Sequence, residues 1–277
     1  DYKIYVTPSK DFAENTLLEI SKQIGPKSSE DVLISIGGDG TLNSTINGLF
    51  KLKRKNPIPF AHISVGSGND FQRAFSKSDW QEILKNLVDN KIELQSYFLG
   101  RVFNKKEKFE HYFINSFGTG FDADVVANSQ KPGFKKRWRF LSYYVSLIMT
   151  LKNIKGFSVI YNEHTINNAF LVVVANNQYF GGGIRIAPFA GLQKDKLDVV
   201  IATNYSLTSF IKMFAQIPSK KHLDSKTIFF DNSESKLKLG FKSKRTIQID
   251  GEIIKDIPEN LEVETVTYPM FIYKNEL

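Results

Sequence analysis

Two glycine-rich turns carry the residues of this chain that are best suited to chemistry. The first, the GGDGT run over 37–41, directly follows the apolar run Val32–Ile36 and directly precedes a helical pattern with Leu42, Ile46 and Leu49. Glycines between a strand and a helix let backbone amides face an anion, and the helix N-terminus adds positive potential, so phosphate is the natural ligand. The aspartate fits if Mg²⁺ lies between it and the phosphates. The alternative is a tight glycine turn with a capping aspartate.

A second turn of the same kind, the GSGND run over 66–70, follows the apolar run Ala61–Val65. Because open parallel sheets bind ligands at the carboxyl ends of their strands, we expect both turns to face one nucleotide crevice. The alternative for Asp70 is a helix N-cap.

A third acidic motif, Asp250-Gly251-Glu252, lies at the end of a strand pattern near the end of the chain. A glycine turn there can hold two carboxylates at a surface. The same residues are also typical of an ordinary hairpin turn, since Asp-Gly is a common hairpin signal.

The order of the three motifs resembles that of the diacylglycerol kinase catalytic-domain family, and the chain looks like the soluble bacterial lipid kinase branch of that family. Asn115 and the segments 118–123 and 192–199 resemble the family's intermediate blocks. GGDGT is shared with NAD kinases and resembles a phosphofructokinase turn, so an NAD kinase is the enzymatic alternative. GSGND followed by a distant DGE favours the lipid branch. A non-catalytic nucleotide- or membrane-binding relative is the third alternative, because Ser44 and Lys196 depart from the family pattern.

The resemblance implies ATP and Mg²⁺ as cofactors and a membrane lipid as acceptor, with diacylglycerol as the leading candidate and phosphatidic acid as its product. It implies that Glu252 accepts the proton of the lipid hydroxyl and that Asp250 helps to organise the metal. The residues implied to form the ATP site are Thr7, Gly37, Gly38, Asp39, Gly40, Thr41, Leu42, Asn43, Ser44, Gly66, Ser67, Gly68 and Asn69.

Two magnesium sites are expected. Asp39, Asp70 and Asp250 could converge on water molecules around a catalytic Mg²⁺, an ion that keeps several waters. The family resemblance implies a structural Mg²⁺ held by the Leu192 and Leu197 carbonyls and the Asp195 carboxylate. Lys196 stands there in place of the family's glycine, and a plain turn before the next strand is the alternative.

A basic and aromatic segment over 131–140 precedes an apolar helical pattern. Its members are Lys131, Phe134, Lys135, Lys136, Arg137, Trp138, Arg139 and Phe140. Basic groups with interfacial aromatics can rest on an anionic membrane, so peripheral membrane contact during turnover is expected. The alternative is a solvated helix start whose aromatics belong to the core.

The elements that must position these motifs change character near Lys91. Before it, strand and helix patterns alternate, which predicts an α/β nucleotide-binding domain over 1–91 with a parallel sheet, NAD kinase- and phosphofructokinase-like by resemblance. Residues 1–6 read as a strand, and the family's first strand is expected to be missing. A later helix follows Ser78, whose hydroxyl could cap it. After Lys91, alternating strand patterns predict a mainly antiparallel β-sandwich, the lipid-substrate domain over 92–277, whose end can pack back on the first domain.

Composition narrows the classes of protein. The 277 residues are 42% hydrophobic and 24% charged, which is typical of a globular fold. The absence of cysteine excludes disulfides and thiolate sites and fits a reducing compartment, with the cytoplasm as the default. No apolar run is long enough to cross a bilayer. The net charge of +8 favours anionic partners without choosing among them. The family resemblance implies a nucleotide and a lipid, and no nucleic acid is expected. The sequence leaves open whether the protein forms a homodimer.

Overall fold

Strands and helices alternate along the first part of the chain. The computed structural model describes residues 2–7, 11–24, 31–66, 68–75, 79–129, 151, 154–232 and 234–273. The first elements are α1 (Asp11–Gln23), β1 (Leu33–Gly37), α2 (Asp39–Lys51), β2 (Phe60–Ser64), α3 (Asp70–Arg73) and α4 (Trp80–Val88). β1 and β2 pair in parallel, with Leu33 opposite Phe60 and Gly37 opposite Ser64. The predicted α/β domain with parallel strands is confirmed.

The described residues after α4 are mainly antiparallel sheet, as predicted. Their elements are β3 (Leu94–Asn104), β4 (Phe109–Phe113), β5 (Ser116–Gly120), α5 (Phe121–Ser129), β6 (Phe157–Tyr161), β7 (His164–Ala175), β8 (Asp198–Thr203), α6 (Leu207–Gln216), β9 (Ile228–Asp231), β10 (Lys236–Phe241), β11 (Arg245–Ile249), β12 (Glu252–Ile257) and β13 (Asn260–Phe271). A short 3-10 turn, Lys221–Asp224, precedes β9. The strands form a β-sandwich in which β5 pairs with both β7 and β11.

The last strand, β13, joins the two parts of the molecule. It pairs antiparallel with β3 from Glu262 opposite Phe103 to Phe271 opposite Leu94. Its final residues also pair in parallel with the start of β2, Met270 opposite Phe60. The end of the chain therefore packs back on the α/β part.

Three apolar clusters hold these layers together. One lies beneath α2 and includes the fully buried side chains Leu42, Ile46 and Met270. A second fills the sandwich around Phe117 and Ile247, and a third packs α5 and α6 against β7 and β8. Each large apolar side chain that is fully buried contributes about 1.5–3 kcal/mol, so these clusters stabilise the elements that carry the three motifs.

Two local predictions were wrong. Residues 2–7 form no strand and are exposed, and the Lys3 and Tyr5 side chains instead bond Gln23 on α1. In addition, α4 is capped by Asp79, whose carboxylate accepts a hydrogen bond from the Glu82 N–H at 2.9 Å. A carboxylate one residue nearer the helix displaces the predicted cap at Ser78, because Asp is at least as good an N-cap as Ser and its charge also favours a helix N-terminus.

Candidate active site

The two glycine turns touch one another. A side-chain carbon added to Gly66 would lie 2.7 Å from Cα of Gly38, so the backbones approach as closely as only glycine permits. The Val65 N–H also donates to the Gly37 carbonyl at 2.8 Å, which extends the β1–β2 pairing into the turns. The two turns therefore meet at the carboxyl ends of two parallel strands, as predicted, and the nucleotide crevice that they would line stays a prediction.

Asp39 ties the second turn to the first. Its carboxylate accepts hydrogen bonds from the N–H groups of Asp70 and Phe71, each at 3.2 Å. These two amides open α3, and the residue before them, Asn69, has φ of 51° and makes no side-chain cap bond. Asp39 thus caps α3 from a different helix. The alternative that Asp70 is the N-cap is wrong, because Asp70 is already the first helical residue.

The two carboxylate oxygens of Asp70 have different surroundings. Oδ2 accepts a 2.9 Å hydrogen bond from the Gly182 N–H, whereas the buried Oδ1 accepts no hydrogen bond and lies 4.0 Å from Arg73 Nε. Burial raises the pKa of Asp70 to about 6, and the nearby charge of Asp39 adds to this rise, while the Gly182 N–H and Arg73 oppose it. Two neighbouring carboxylates, one with an unsatisfied oxygen, are a donor set suited to a hard divalent cation.

Asp250 is enclosed by four donors and organises its surroundings. Its Oδ1 accepts from the N–H groups of Asn115 (2.8 Å) and Ser116 (2.9 Å). Its Oδ2 accepts from the Ile114 N–H at 2.8 Å and from Asn43 Nδ2 at 2.9 Å. The carboxylate is buried, and each of its oxygens already accepts two hydrogen bonds. Asp250 therefore holds the hairpin against α2 and the start of β5. The structure does not bring it into the Asp39–Asp70 pair.

Glu252 reaches the first glycine turn from the β-sandwich. Asp250 and Gly251 form the β11–β12 hairpin turn, with φ of 47° and 84°, and Glu252 begins β12. The hairpin interpretation of this motif is thus correct, and it is compatible with a functional one. Glu252 Oε1 lies 3.3 Å from where a side-chain carbon on Gly40 would stand. Residues from opposite ends of the sequence therefore meet at the N-terminus of α2.

The other residues predicted for the ATP site differ in position. Thr41 and Ser44 are partly exposed on α2, whereas the Leu42 side chain is fully buried in the core and its N–H donates to the Gly38 carbonyl. Asn43 is turned toward Asp250 and the Tyr112 carbonyl. Both therefore support the turn from beneath and do not line it. Thr7 is exposed in an irregular stretch, and Ser67 lies outside the described residues.

The segment predicted to hold a structural Mg²⁺ makes protein contacts. The Leu192 carbonyl accepts a 2.8 Å hydrogen bond from the Phe98 N–H, and the Asp195 carboxylate accepts one from the Thr265 hydroxyl. The Leu197 N–H donates to the Glu234 carbonyl at 3.0 Å. Among the described residues, no group of three or more His, Asp or Glu side chains is gathered to hold a metal. The second magnesium site stays a prediction.

Sequence reasoning missed a buried amide network behind Asp70. Asn177 Nδ2 donates to the Asn115 side-chain oxygen at 2.8 Å and to the Asp70 carbonyl at 3.3 Å. Asn176 Nδ2 donates to the carbonyls of Phe98 and Ile114. A paired asparagine at the end of a buried strand, followed by the GGG run over 181–183 that supplies the Gly182 N–H, was the signal available in the sequence.

An α/β part with two touching glycine turns, joined to an antiparallel sandwich that carries an acidic hairpin, is an NAD kinase-like fold. Two family descriptions match the chain: the diacylglycerol kinase catalytic domain over residues 1–97, and the YegS C-terminal NAD kinase beta sandwich-like domain over residues 115–269. The chain belongs to the diacylglycerol kinase catalytic-domain family, in its bacterial lipid kinase branch.

Individual relatives agree with this assignment. The chain is 29% identical to the YtlR protein of Bacillus subtilis (strain 168) over 243 residues, which are 83% of this chain and 76% of that protein. It is 27% identical to a diacylglycerol kinase of the same organism over 229 residues, 80% of this chain and 71% of that enzyme. These similarities extend across both parts of the fold.

Solved structures share the fold at lower identity. A crystal structure from Bacillus anthracis str. Sterne superposes with a TM-score of 0.73 at 22% identity, covering 97% of this chain and 83% of that one. An NAD kinase from Archaeoglobus fulgidus in complex with ATP gives a TM-score of 0.52 at 14% identity, covering 99% and 84%. Within the described residues, no helix is long and apolar enough to cross a membrane.

Proposed function

We propose that this protein is an ATP-dependent lipid kinase that transfers the γ-phosphoryl group to a lipid hydroxyl, with diacylglycerol as the first candidate acceptor and phosphatidic acid as the product. The observation that carries the proposal is the approach of Glu252 to Gly40 at the N-terminus of α2. A carboxylate at that position can accept a hydroxyl proton next to the place where a glycine turn would hold phosphates.

The residues proposed to bind ATP surround the touching turns. Backbone amides of Gly38 and Gly40 and the hydroxyl of Thr41 would face the phosphates, and the turn over 66–69 would close the other side. This arrangement needs no covalent nucleophile, because phosphoryl transfer depends on positioning and on neutralising the charge of the phosphates. Thr7 and Ser67 remain proposed contacts on the strength of the family resemblance alone.

Mg²⁺ would be held by Asp39 and Asp70. The unsatisfied Oδ1 of Asp70 and the adjacent Asp39 carboxylate fit an ion that takes one or two carboxylates and completes its shell with water and substrate phosphates. The ion supplies charge neutralisation of the phosphates. Asp250 is proposed to act by fixing the hairpin, not as a metal ligand.

Transfer of labelled γ-phosphate tests the proposal. Wild type, Glu252→Gln and Glu107→Gln are incubated with ATP, Mg²⁺ and mixed micelles that contain dioleoylglycerol, phosphatidylglycerol, ceramide or sphingosine, with NAD as a separate acceptor. Removing the general base should lower lipid phosphorylation by at least about 100-fold. The exposed Glu107 controls for loss of one carboxylate and should leave it unchanged. Phosphorylation of NAD alone would assign the chain to NAD kinase activity, and binding of ATP without any product would favour a non-catalytic relative.

Asp39→Asn provides a second test. The neutral amide loses the charge needed for the cation, and its single oxygen can no longer accept from both α3 amides in the same way. We expect turnover to be abolished with the far-UV circular dichroism spectrum preserved. Unchanged turnover would remove Asp39 from the proposed metal site.

Membrane contact is proposed from sequence alone. The basic and aromatic residues over 131–140 lie outside the described residues. The combined variant Lys135→Ala, Lys136→Ala, Arg137→Ala should lose about 1 kcal/mol of affinity per charge for vesicles rich in phosphatidylglycerol. Co-sedimentation with these vesicles and with neutral phosphatidylcholine vesicles measures it. Equal binding by wild type and variant would exclude this segment.

A further inference from the structure

One buried glutamine connects helix α5 to the hairpin that carries Glu252. Gln248 lies in β11, three residues before Gly251, and is 3% exposed. Its Nε2 donates to Asp122 Oδ2 at 2.8 Å, and its Oε1 accepts from the Gly251 N–H at 2.8 Å. The side chain thus spans from the first turn of α5 to the backbone of the hairpin turn.

The orientation of this amide is fixed by its partners. The Gly251 N–H can only donate, so Oε1 must face Gly251, and Nε2 is then the group that donates to the Asp122 carboxylate. Both polar ends of a buried side chain are satisfied in this orientation, whereas the flipped one would set Nε2 against the Gly251 N–H, two donors facing each other inside the protein. Gln248 is therefore held in one arrangement.

The fold leaves space for the connection at Gly118. This residue is opposite Gln248 in the β5–β11 pairing. A side-chain carbon added to Gly118 would overlap Asp122 Oδ2 and would stand 2.9 Å from the Val172 carbonyl oxygen. Glycine at this position admits the Asp122 carboxylate between β5 and α5. Asp122 is otherwise enclosed, and burial raises its pKa to about 7 while the Gln248 hydrogen bond opposes that rise.

The hairpin turn is consequently held from two sides. Asp250 binds it to α2 and to the β4–β5 connection through four donors. Gln248 accepts a hydrogen bond from the N–H of Gly251, the residue after Asp250, and connects it to Asp122 on α5. Glu252 follows directly and faces Gly40, so any rotation of the turn would move its carboxylate away from the first glycine turn.

We propose that Gln248 is a positioning residue for phosphoryl transfer, which holds the Gly251 amide and thereby aims Glu252 at the site beside Gly40, with Asp122 as the support that fixes the glutamine. This role rests on the proposed function, because it takes Glu252 to be the proton acceptor. Displacement of a catalytic group by about 1 Å can cost roughly 100-fold in rate. Gln248 is therefore expected to act on kcat and not on ATP binding.

A reciprocal exchange of donor and acceptor tests the connection. Gln248→Glu keeps an acceptor for the Gly251 N–H but replaces the amide donor by a second carboxyl beside Asp122, so the pair must either repel or take up a proton. Adding Asp122→Asn restores a donor, because the new amide can donate to the new carboxylate. Asp122→Asn alone keeps an oxygen that accepts from Gln248. Gln248→Leu removes both hydrogen bonds.

The assay measures kcat and the KM for ATP with dioleoylglycerol, or with whichever lipid of the panel wild type phosphorylates, at pH 8. Gln248→Glu and Gln248→Leu should lower kcat by roughly 10- to 100-fold with the KM for ATP within about twofold of wild type. The double variant should recover to within about threefold of wild type, as a direct coupling between the two side chains requires. Full activity of Gln248→Leu, or a double variant that stays as slow as Gln248→Glu, would overturn the positioning role.

Amide hydrogen exchange at Gly251, followed by NMR on labelled protein, provides a readout that does not depend on turnover. Gln248→Leu should speed exchange at Gly251, and the double variant should restore protection. If Gln248→Glu does not fold, the Leu and double variants still decide the outcome. Absence of wild-type turnover on every acceptor would overturn the proposed function and this role with it. Wild-type turnover with an unimpaired Gln248→Leu variant would overturn only the positioning role.

Discussion

At the scale of single residues, Asp70 is the clearest candidate for a metal-binding group. One of its oxygens is buried without a hydrogen-bond partner and the other is held by the Gly182 N–H. Asp70→Asn should raise the Mg²⁺ concentration for half-maximal phosphoryl transfer by about 10- to 100-fold, because the amide offers the ion a weaker ligand. A titration of activity with Mg²⁺ measures this. The control is Asp89→Asn, which removes an exposed carboxylate that pairs with Lys91. An unchanged titration curve would remove Asp70 from the metal site.

Asp250 is predicted to matter for folding as well as for activity. Three backbone N–H groups and Asn43 donate to it, so Asp250→Asn would bring an NH₂ group against at least one donor. Leaving buried donors unpaired costs about 1–3 kcal/mol each, and we expect the free energy of unfolding to fall by roughly 2–4 kcal/mol. Urea denaturation measures it. Asp256→Asn, at an exposed position of β12, is the matched control, and equal effects of the two variants would contradict this assignment.

Asp122 gives the protein a predictable pH dependence. Burial raises its pKa from 3.8 to about 7, so the folded state holds the proton more tightly than the unfolded chain does. The stability associated with the protonated carboxyl is complete below about pH 4 and is lost as pH rises toward 7. Asp122→Asn has no charge to bury. Its free energy of unfolding relative to wild type should therefore be higher at pH 8 than at pH 5 by roughly 2–3 kcal/mol, at 1.36 kcal/mol per pKa unit. Urea denaturation at both pH values measures this difference, and a pH-independent difference would show that Asp122 does not titrate in this range.

At the scale of elements, the site depends on two turns packing backbone to backbone. Gly66→Ala places a carbon 2.7 Å from Cα of Gly38 and forces the β2–α3 turn away from the β1–α2 turn. The KM for ATP should rise about tenfold or more, because the two turns that are proposed to bind the phosphates separate. Gly191→Ala, where nothing lies within 4 Å of an added carbon, should leave the KM unchanged. Steady-state kinetics compares the two variants, and equal KM values would contradict the packing argument.

Local patterns predicted most elements because periodicity and burial agree there. The alternation of strand and helix patterns before Lys91 and the run of strand patterns after it both correspond to the elements of the structure. The prediction of a strand at the N-terminus was wrong because a strand must pair with a neighbouring strand. A short alternation of apolar and polar residues does not specify such a partner. The cap at Asp79 was missed because neighbouring Ser and Asp are both good caps.

The residues of the candidate site were predictable only where they belong to the sequence motifs themselves. The meeting of the glycine turns followed from parallel strands, since carboxyl ends share an edge. The bonds that satisfy Asp250 come from amides more than 130 positions earlier in the chain, and the bond to Asp70 comes from Gly182. The GGG run over 181–183 marks an unusual segment in the sequence, but tertiary packing alone decides which residues it meets. Asp39 as the cap of α3 was missed for the same reason.

At the scale of the whole molecule, the site exists only if both ends of the chain are brought together. The glycine turns belong to the first 70 residues, whereas Glu252 lies near the end. β13 makes this connection, because it pairs antiparallel with β3 and β10 and ends in parallel pairing with β2. The Tyr268 hydroxyl adds a 3.0 Å hydrogen bond to the Ile58 carbonyl just before β2. The sheet is thus continuous from the glycine turns to the acidic hairpin.

Substitutions within β13 separate the role of this connection from that of general stability. Met270, fully buried opposite Phe60, and Leu261, buried on the sandwich side, should each cost about 2–5 kcal/mol when replaced by alanine. At a temperature where both variants remain folded, Met270→Ala should lower lipid phosphorylation and raise the KM for ATP, since it loosens β2 beneath the glycine turns. Leu261→Ala should retain near wild-type kinetics, and Met270→Leu should be mild because it conserves volume. Kinetics paired with urea denaturation measure both effects. If Leu261→Ala and Met270→Ala impaired turnover equally at matched stability, β13 would act through global stability and not as the link between the two halves of the site.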